Sequence, residues 1–102
     1  MSSFALTCRA LADLREIASF THAAWGLDQR NIYIKQFDDL FHLLADTPTI
    51  GKSCDEIRNG YRKFPQGSHV IFYKSGDNTT IEIVRILHKR MDVETQFHDG
   101  LR

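Results

Sequence analysis

The chain has 102 residues, of which 42% are hydrophobic and 25% are charged, values that are ordinary for a soluble globular domain. That length predicts a single domain over residues 1–102 with one small core. Its 13 basic and 13 acidic residues give a formal net charge of zero, which argues against long-range attraction to nucleic acid or to a lipid surface.

The compartment follows from what the chain lacks. No apolar run approaches the ~20 residues of a membrane-spanning helix. The polar start Met1-Ser2-Ser3 is unlike a signal peptide. We therefore expect a cytoplasmic protein without membrane association, in which the thiols of Cys8 and Cys54 are free because the cytosol is reducing.

The first half of the chain predicts a short strand followed by two helices. Alternation in residues 3–8 favours the strand, and Thr7 is suited to cap the helix that follows. Apolar residues spaced by three and four predict an antiparallel helical hairpin over residues 9–46, with Gly26 between the helices and Asp28 capping the second. The expected buried stripes are Leu11, Leu14, Ile17, Ala18, Thr21, Ala24 and Trp25, then Tyr33, Phe37, Leu40, Phe41 and Leu44.

Beyond the hairpin the apolar period shortens to two, which predicts a three-stranded antiparallel meander over residues 58–90. The expected strands are 61–64, 69–74 and 81–88, joined by turns at 65–67 and 75–78. Because Phe4 and Leu6 need a buried face, the first strand should join the meander in a four-stranded, mainly antiparallel sheet. The fold class is α+β, and residues 91–102 are expected to be a short helix or a mobile tail.

The meander concentrates positive charge, with seven basic residues between positions 58 and 90 against two acidic ones. The basic residues are Arg58, Arg62, Lys63, Lys74, Arg85, Lys89 and Arg90. This density suits a site for a phosphate or for the carboxylates of a partner. An equally supported interpretation is that the arginines pair with carboxylates of Asp55, Glu56 or Glu82 and hold the strands in register.

The last predicted strand is apolar on both faces. Strict alternation places Ile81, Ile83, Arg85 and Leu87 on one face, and Glu82, Val84, Ile86 and His88 on the other. Since one face should pack on the hairpin, we expect the other to expose an apolar patch around Arg85. Exposed apolar patches rimmed by charge are typical of partner sites.

Four segments of the sequence resemble the ParE toxins of bacterial type II toxin–antitoxin modules, in the RelE/ParE superfamily, also called the plasmid stabilisation family. The segments are Ala12–Gly26, Thr47–Phe64, Gly67–Tyr73 and Ile81–Asp92. The most specific combination is Trp25-Gly26, Ile50-Gly51, Gly60-Tyr61-Arg62 and Arg85-Ile86-Leu87-His88, in that order. The resemblance covers most of the chain and implies a RelE/ParE-like fold.

The resemblance also implies a function. ParE members inhibit DNA gyrase without being enzymes, trap it on cleaved DNA, need no cofactor, and are neutralised by an antitoxin, ParD-like or other, that is encoded beside them. Direct sequence-specific binding to nucleic acid is not expected. The candidate antitoxin-binding residues are Ile81, Ile83, Arg85 and Leu87. The candidate target-binding residues are Arg62, His88, Lys89, Arg90 and Met91.

The superfamily also contains ribosome-dependent mRNA endonucleases of the RelE type, which is the main alternative. In that case Arg62 and Arg85 would supply cations around the phosphorane and His88 would shuttle protons, although a structural role for His88 is favoured. Ribonuclease members typically carry a tyrosine in the C-terminal segment, whereas no tyrosine follows Tyr73 here. A gyrase inhibitor is therefore favoured, with an inactive toxin that only holds its antitoxin as a third class.

Three smaller expectations concern the histidines, Trp25 and the C-terminal tail. The spacing of the remaining histidines gives no metal site. Trp25 is expected in the core at the hairpin tip, with an exposed contact as the alternative. The tail after Lys89 is expected to carry toxicity and to be removable without unfolding, unless Met91 and Phe97 close the bottom of the core.

Overall fold

The computed structural model describes residues 2–91, 93, 96 and 97. Its elements are β1 (Phe4–Leu6), α1 (Cys8–Trp25), α2 (Leu27–Asp46), a 3-10 turn (Pro48–Ile50), β2 (Lys52–Ser53), β3 (Arg62–Gln66), β4 (His69–Ser75) and β5 (Ile81–His88). The predicted α+β class and the order of strand, two helices and meander are confirmed. Among the described helices, none is both long and apolar enough to cross a membrane.

The described strands form one five-stranded sheet in the order β1-β5-β4-β3-β2. β1 pairs with β5 in parallel, and the other neighbours are antiparallel. The pairing of the first strand alongside the meander is therefore confirmed. The fifth strand, β2, was not predicted, because two residues are too short to show a period.

The predicted helix ends are confirmed except at the start of α2. The Thr7 hydroxyl accepts a hydrogen bond from the Ala10 N–H at 3.1 Å and caps α1. Gly26 separates the helices with a φ of 93°, a conformation that favours glycine. The Asp28 cap was wrong: α2 begins at Leu27, and Asp28 lies in its first turn, where a carboxylate still complements the helix dipole.

The first core lies between the helical hairpin and the sheet. The stripe predicted for α2 is confirmed, with Phe37 and Leu44 fully buried. The stripe predicted for α1 is confirmed in part: Ile17 and Thr21 are buried as expected, and the other buried residues are Ala10 and Asp13. Leu11 is 40% exposed and Trp25 is 73% exposed, so Trp25 is not a core residue. Asp13 was not expected to be buried, and its carboxylate faces β5, where it bonds to Arg85 and to the Ile86 N–H.

A second core covers the opposite face of the sheet. Its buried residues are Cys54, Phe72, Val84, Leu87 and Phe97, with Ile57, Tyr61, Val70 and Val93 packed against them. Strands β4 and β5 are therefore buried on both faces, which is why β5 is apolar on both. The expected exposed patch was wrong, because Ile81, Ile83, Arg85 and Leu87 are all buried.

A β-bulge in β5 also changes the predicted faces. Phe72 lies opposite Arg85 whereas Tyr73 lies opposite Ile83, so Val84 is an extra residue in β5. Beyond the bulge the alternation is offset by one residue. Ile83 and Ile86 consequently lie in the first core, and Leu87 lies in the second.

The turn between β3 and β4 is Gly67-Ser68 rather than the expected residues 65–67. Gln66 pairs with His69, and Gly67 has a φ of 58°. Pro65 lies within β3, where its missing N–H is tolerated because β2 pairs only with the first two residues of that strand.

The described part of the C-terminal segment packs against the sheet. Val93, Gln96 and Phe97 are helical, and Phe97 is buried with its ring centroid 4.8 Å from that of Phe72. The Arg58 guanidinium donates to the Phe97 carbonyl at 3.1 Å. The expectation that this segment adds little to the core was therefore wrong, and the alternative holds for Phe97 though not for the exposed Met91.

Candidate functional site

A groove of about 1010 Å³ opens between α1, the start of α2 and the ends of β4 and β5. Its apolar lining includes Phe20, Trp25 and Met91, which are 71%, 73% and 45% exposed. Its polar lining includes Asp13, Glu16, Tyr33, Ser68, His69 and His88. Exposed aromatic side chains beside a concave surface are typical of a partner site.

One wall of the groove depends on a buried ion pair. β1 ends at Leu6, and α1 then lies along the edge of β5 that β1 leaves unpaired. The Asp13 carboxylate accepts from Arg85 Nε at 2.7 Å, from Arg85 Nη2 at 3.0 Å and from the Ile86 N–H at 3.0 Å. The Asp13 carboxylate thus accepts from the Ile86 N–H as the carbonyl of a neighbouring strand would. Its two bonds to Arg85 have the bidentate geometry that suits a guanidinium group.

This pair changes the role expected for Arg85. Its side chain is buried, and its charge is neutralised by Asp13 rather than by Asp55, Glu56 or Glu82. Within the described residues its Nη1 has no hydrogen-bond partner. Arg85 is therefore a structural residue that holds α1 against the sheet, and in this conformation it does not reach the surface to meet the carboxylates of a partner.

Arg62 also has a structural role, at the other end of the sheet. Its Nη1 donates to the Gly51 carbonyl at 2.7 Å. The Tyr73 hydroxyl donates to the Pro48 carbonyl at 2.6 Å and accepts from the Gly51 N–H at 2.9 Å. A Cβ at position 51 would lie 2.0 Å from that hydroxyl oxygen, so this close approach requires glycine. Burial raises the pKa of Tyr73, and the Gly51 hydrogen bond and Arg62 oppose that shift.

Two histidines face each other at the floor of the groove. His69 and His88 are cross-strand partners with ring centroids 5.3 Å apart. The Tyr33 hydroxyl lies 2.9 Å from His69 Nδ1, and His88 Nδ1 accepts from the Arg90 N–H at 3.1 Å. Burial lowers the pKa of His69, His88 lowers it further, and Asp13 acts in the opposite direction.

The structure does not gather the predicted catalytic residues. Arg62 begins β3, whereas His88 aligns through His69 with Gln66 at the end of that strand. Arg62 and Gln66 are four residues apart along β3, so Arg62 and the His69–His88 pair are roughly 13 Å apart along the strand direction. Lys89 and Arg90 are exposed beyond β5, and Met91 lines the groove. In the described part of the chain no group of three or more potential ligands could hold a metal ion.

Sequence reasoning missed Asp13, Tyr33 and His69 as groove residues. Asp13 carried a usable signal, because an acidic residue at a core position of an amphipathic helix needs a buried partner. His69 could have been paired with His88 only after the turn and the bulge were placed correctly.

Comparison with known proteins identifies the family. The family profile described as "ParE toxin of type II toxin-antitoxin system, parDE" matches residues 4–93. The chain belongs to this family. It is thus a toxin of a ParDE type II toxin–antitoxin system, and the resemblance found from the sequence is confirmed.

Curated ParE toxins match along nearly their whole length. Toxin ParE1 of Mycobacterium tuberculosis is 44% identical over 93 residues, which cover 91% of this chain and 95% of that protein. Toxin ParE1 of Caulobacter vibrioides is 35% identical, with 90% and 94% covered. Toxin ParE of Escherichia coli is 31% identical, with 100% and 99% covered.

A solved structure of this family has the same fold. The structure titled "Chromosomal ParDE TA system from P. aeruginosa" contains a chain that superposes with a TM-score of 0.72. That match covers 86% of this chain and 96% of the other at 19% identity. At that identity the likeness supports the fold alone.

Proposed function

We propose that this ParE-family toxin inhibits DNA gyrase by binding it, without covalent chemistry of its own, and that an antitoxin encoded beside it neutralises it. Gyrase is the target implied by the resemblance to ParE toxins. One observation supports a mechanism without enzymatic chemistry: Arg62 and Arg85, the candidate catalytic cations, are each bonded within the chain and have structural roles.

The ribonuclease alternative needs Arg62 and Arg85 as free cations, and neither arginine is free in this arrangement. Attack by a 2′-hydroxyl builds negative charge on the phosphorane, which must meet exposed cations and a proton carrier at one place. The buried Arg85 is already neutralised, and Arg62 lies at the opposite end of the sheet from His88. His88 is then left without the two arginines, Arg62 and Arg85, that were expected to stabilise the phosphorane.

The groove is the site that we propose for the antitoxin. An amphipathic segment of the antitoxin would bury its apolar face on Phe20, Trp25 and Met91, whose exposure is otherwise unfavourable in water. This replaces the patch expected from Ile81, Ile83 and Leu87, which does not exist because those side chains are buried.

The exposed end of β5 is the proposed contact with gyrase. Lys89, Arg90 and Met91 are accessible there, and two of them are positively charged. They can form charge-assisted contacts with acidic groups of a partner without disturbing either core.

The antitoxin site is tested by replacing one exposed aromatic residue. Phe20→Ala should weaken the complex with the co-expressed antitoxin by about tenfold or more, since truncated aromatic anchors are typical hot spots. Ile32→Ala is the matched control, because Ile32 is 52% exposed on α2 and does not line the groove. Equal affinities of the two variants in a calorimetric titration would place the antitoxin elsewhere.

The inhibitory function is tested in cells that express the toxin without antitoxin. We expect filamentation and induction of the DNA-damage response while translation is initially intact. Prompt cleavage of mRNA at ribosomes, abolished by His88→Ala, would contradict the proposal and support the ribonuclease instead.

A further inference from the structure

We propose that the pair of His69 and His88 selects an uncharged polar side chain of the antitoxin that both donates and accepts hydrogen bonds, an amide or a hydroxyl. The inference rests on the proposed function in one respect, because it takes the groove to be where the antitoxin binds. It adds the chemistry that the floor of the groove recognises.

The hydrogen bonds of Tyr33 define the proton position on His69. The Tyr33 hydroxyl has one proton, which it donates to the Gln66 carbonyl at 3.0 Å. Its oxygen is therefore left to accept from His69 Nδ1, 2.9 Å away. In the neutral ring a proton on Nδ1 leaves Nε2 as an acceptor, and burial together with His88 lowers the pKa of His69, which favours that neutral ring.

The backbone defines the opposite tautomer for His88. Its Nδ1 accepts from the Arg90 N–H, so the neutral ring carries its proton on Nε2. Neither Nε2 has a hydrogen-bond partner among the described residues, and neither is a buried unpaired atom. The free positions of the pair are thus one accessible acceptor, on His69, and one accessible donor, on His88.

A primary amide matches this arrangement because it offers an acceptor oxygen and N–H donors, and a hydroxyl matches it because its oxygen accepts while its O–H donates. A carboxylate can only accept and an ammonium group can only donate. Each would leave one ring nitrogen without a partner once the antitoxin excludes water, which is costly.

Charge in the groove also disfavours a carboxylate. The titratable and charged groups that line the groove around the pair are Asp13 and Glu16 on α1 and Tyr33 on α2. Lys89 and Arg90 follow His88 at the exposed end of β5, outside the groove lining. Arg85 neutralises Asp13, whereas Glu16 forms no ion pair with another described residue. Within the groove lining an acidic residue of the antitoxin would therefore meet the like charge of Glu16.

The tautomers can be tested on the free protein. At pH 7.5, long-range ¹H–¹⁵N spectra of the imidazole rings should show protonated Nδ1 in His69 and protonated Nε2 in His88. Titration with acetamide should then shift the ring signals of both residues more than sodium acetate does at equal concentration. Reversed tautomers, or a larger response to acetate, would overturn the inference.

The complex provides the second test. Protonated His69 has two donors and no acceptor, so affinity for the co-expressed antitoxin should fall between pH 7.5 and pH 5.5, by less than about tenfold because the pKa of His69 is lowered. His69→Gln should bind more weakly at pH 7.5 but lose most of that pH dependence. If His69→Gln keeps the wild-type pH dependence, the inference fails.

Phe20→Ala separates the inference from the function on which it rests. A weakened complex in Phe20→Ala together with unchanged pH dependence in His69→Gln would leave the antitoxin in the groove and overturn only the role of the histidines. If Phe20→Ala leaves the affinity for the antitoxin unchanged, the antitoxin does not bind in the groove. The proposed antitoxin site and the proposed role of the histidines then both fail.

Discussion

Asp13 determines how α1 is oriented on the sheet. The residue is 9% exposed, and its carboxylate accepts three hydrogen bonds, two from the Arg85 guanidinium and one from the backbone of β5. A buried ion pair adds little net stability compared with apolar residues, but a single buried charge without its partner is strongly unfavourable. The pair therefore specifies the position of α1 more than it strengthens the fold.

Removing one member of this pair should be severe. Asp13→Ala leaves the Arg85 charge buried and unpaired, so we expect a loss of about 3–5 kcal/mol in the free energy of unfolding. Lys35→Ala removes an exposed ion pair with Asp39 and should cost less than about 1 kcal/mol. Urea unfolding of both variants provides the comparison.

A double replacement sharpens the same test. Asp13→Leu combined with Arg85→Met removes both charges and should recover much of the stability that Asp13→Ala loses. Equal midpoints for Asp13→Ala and Lys35→Ala would contradict a structural role of the buried pair.

At the scale of the elements, local signals were predictable and long-range ones were not. The cap at Thr7, the break at Gly26 and the stripe of α2 depend on residues within a few positions of each other. The bulge at Val84 depends on the pairing of β4 with β5, and one extra residue leaves no mark in the apolar period. The contact of Asp13 with Arg85 joins residues 72 positions apart.

The C-terminal segment was misjudged for a similar reason. Its charged residues suggested a mobile tail, yet Phe97 reaches the second core and contacts Phe72 and Tyr61. A single aromatic anchor among charged neighbours does not produce a recognisable helical stripe. The second core, which this segment helps to close, was therefore absent from the sequence prediction.

The segment should be required for a stable fold. Phe97→Ala should cost about 3–5 kcal/mol because it empties a buried aromatic site, whereas the exposed Met91→Ala should lie within about 0.5 kcal/mol of wild type. Ending the chain after Lys89 should abolish or strongly lower the cooperative thermal transition. A truncated protein that melts like the full chain would show instead that the tail is dispensable.

At the scale of the whole molecule, both faces of the sheet are covered by cores, and the groove and the end of β5 stay accessible. The fold class and the family could be predicted, because both depend on the order of elements and on spaced motifs. The groove could not, since it forms where α1 meets β4 and β5, and its polar residues come from separate parts of the chain.

The arrangement separates the two proposed interactions in space. The antitoxin would bind exposed aromatic residues of α1, while gyrase would meet the basic end of β5, and Met91 lies at the boundary of both surfaces. An antitoxin in the groove could therefore hinder access to the end of β5 without altering the fold.

We propose that this toxin inhibits gyrase by binding and does not cleave RNA. The most direct measurement mixes the purified protein with DNA gyrase and supercoiled plasmid, and in parallel with ribosomes carrying mRNA. We predict that linear plasmid DNA accumulates, that added antitoxin prevents it, and that the mRNA stays intact. Intact supercoiled plasmid together with cleaved ribosome-bound mRNA would contradict the account.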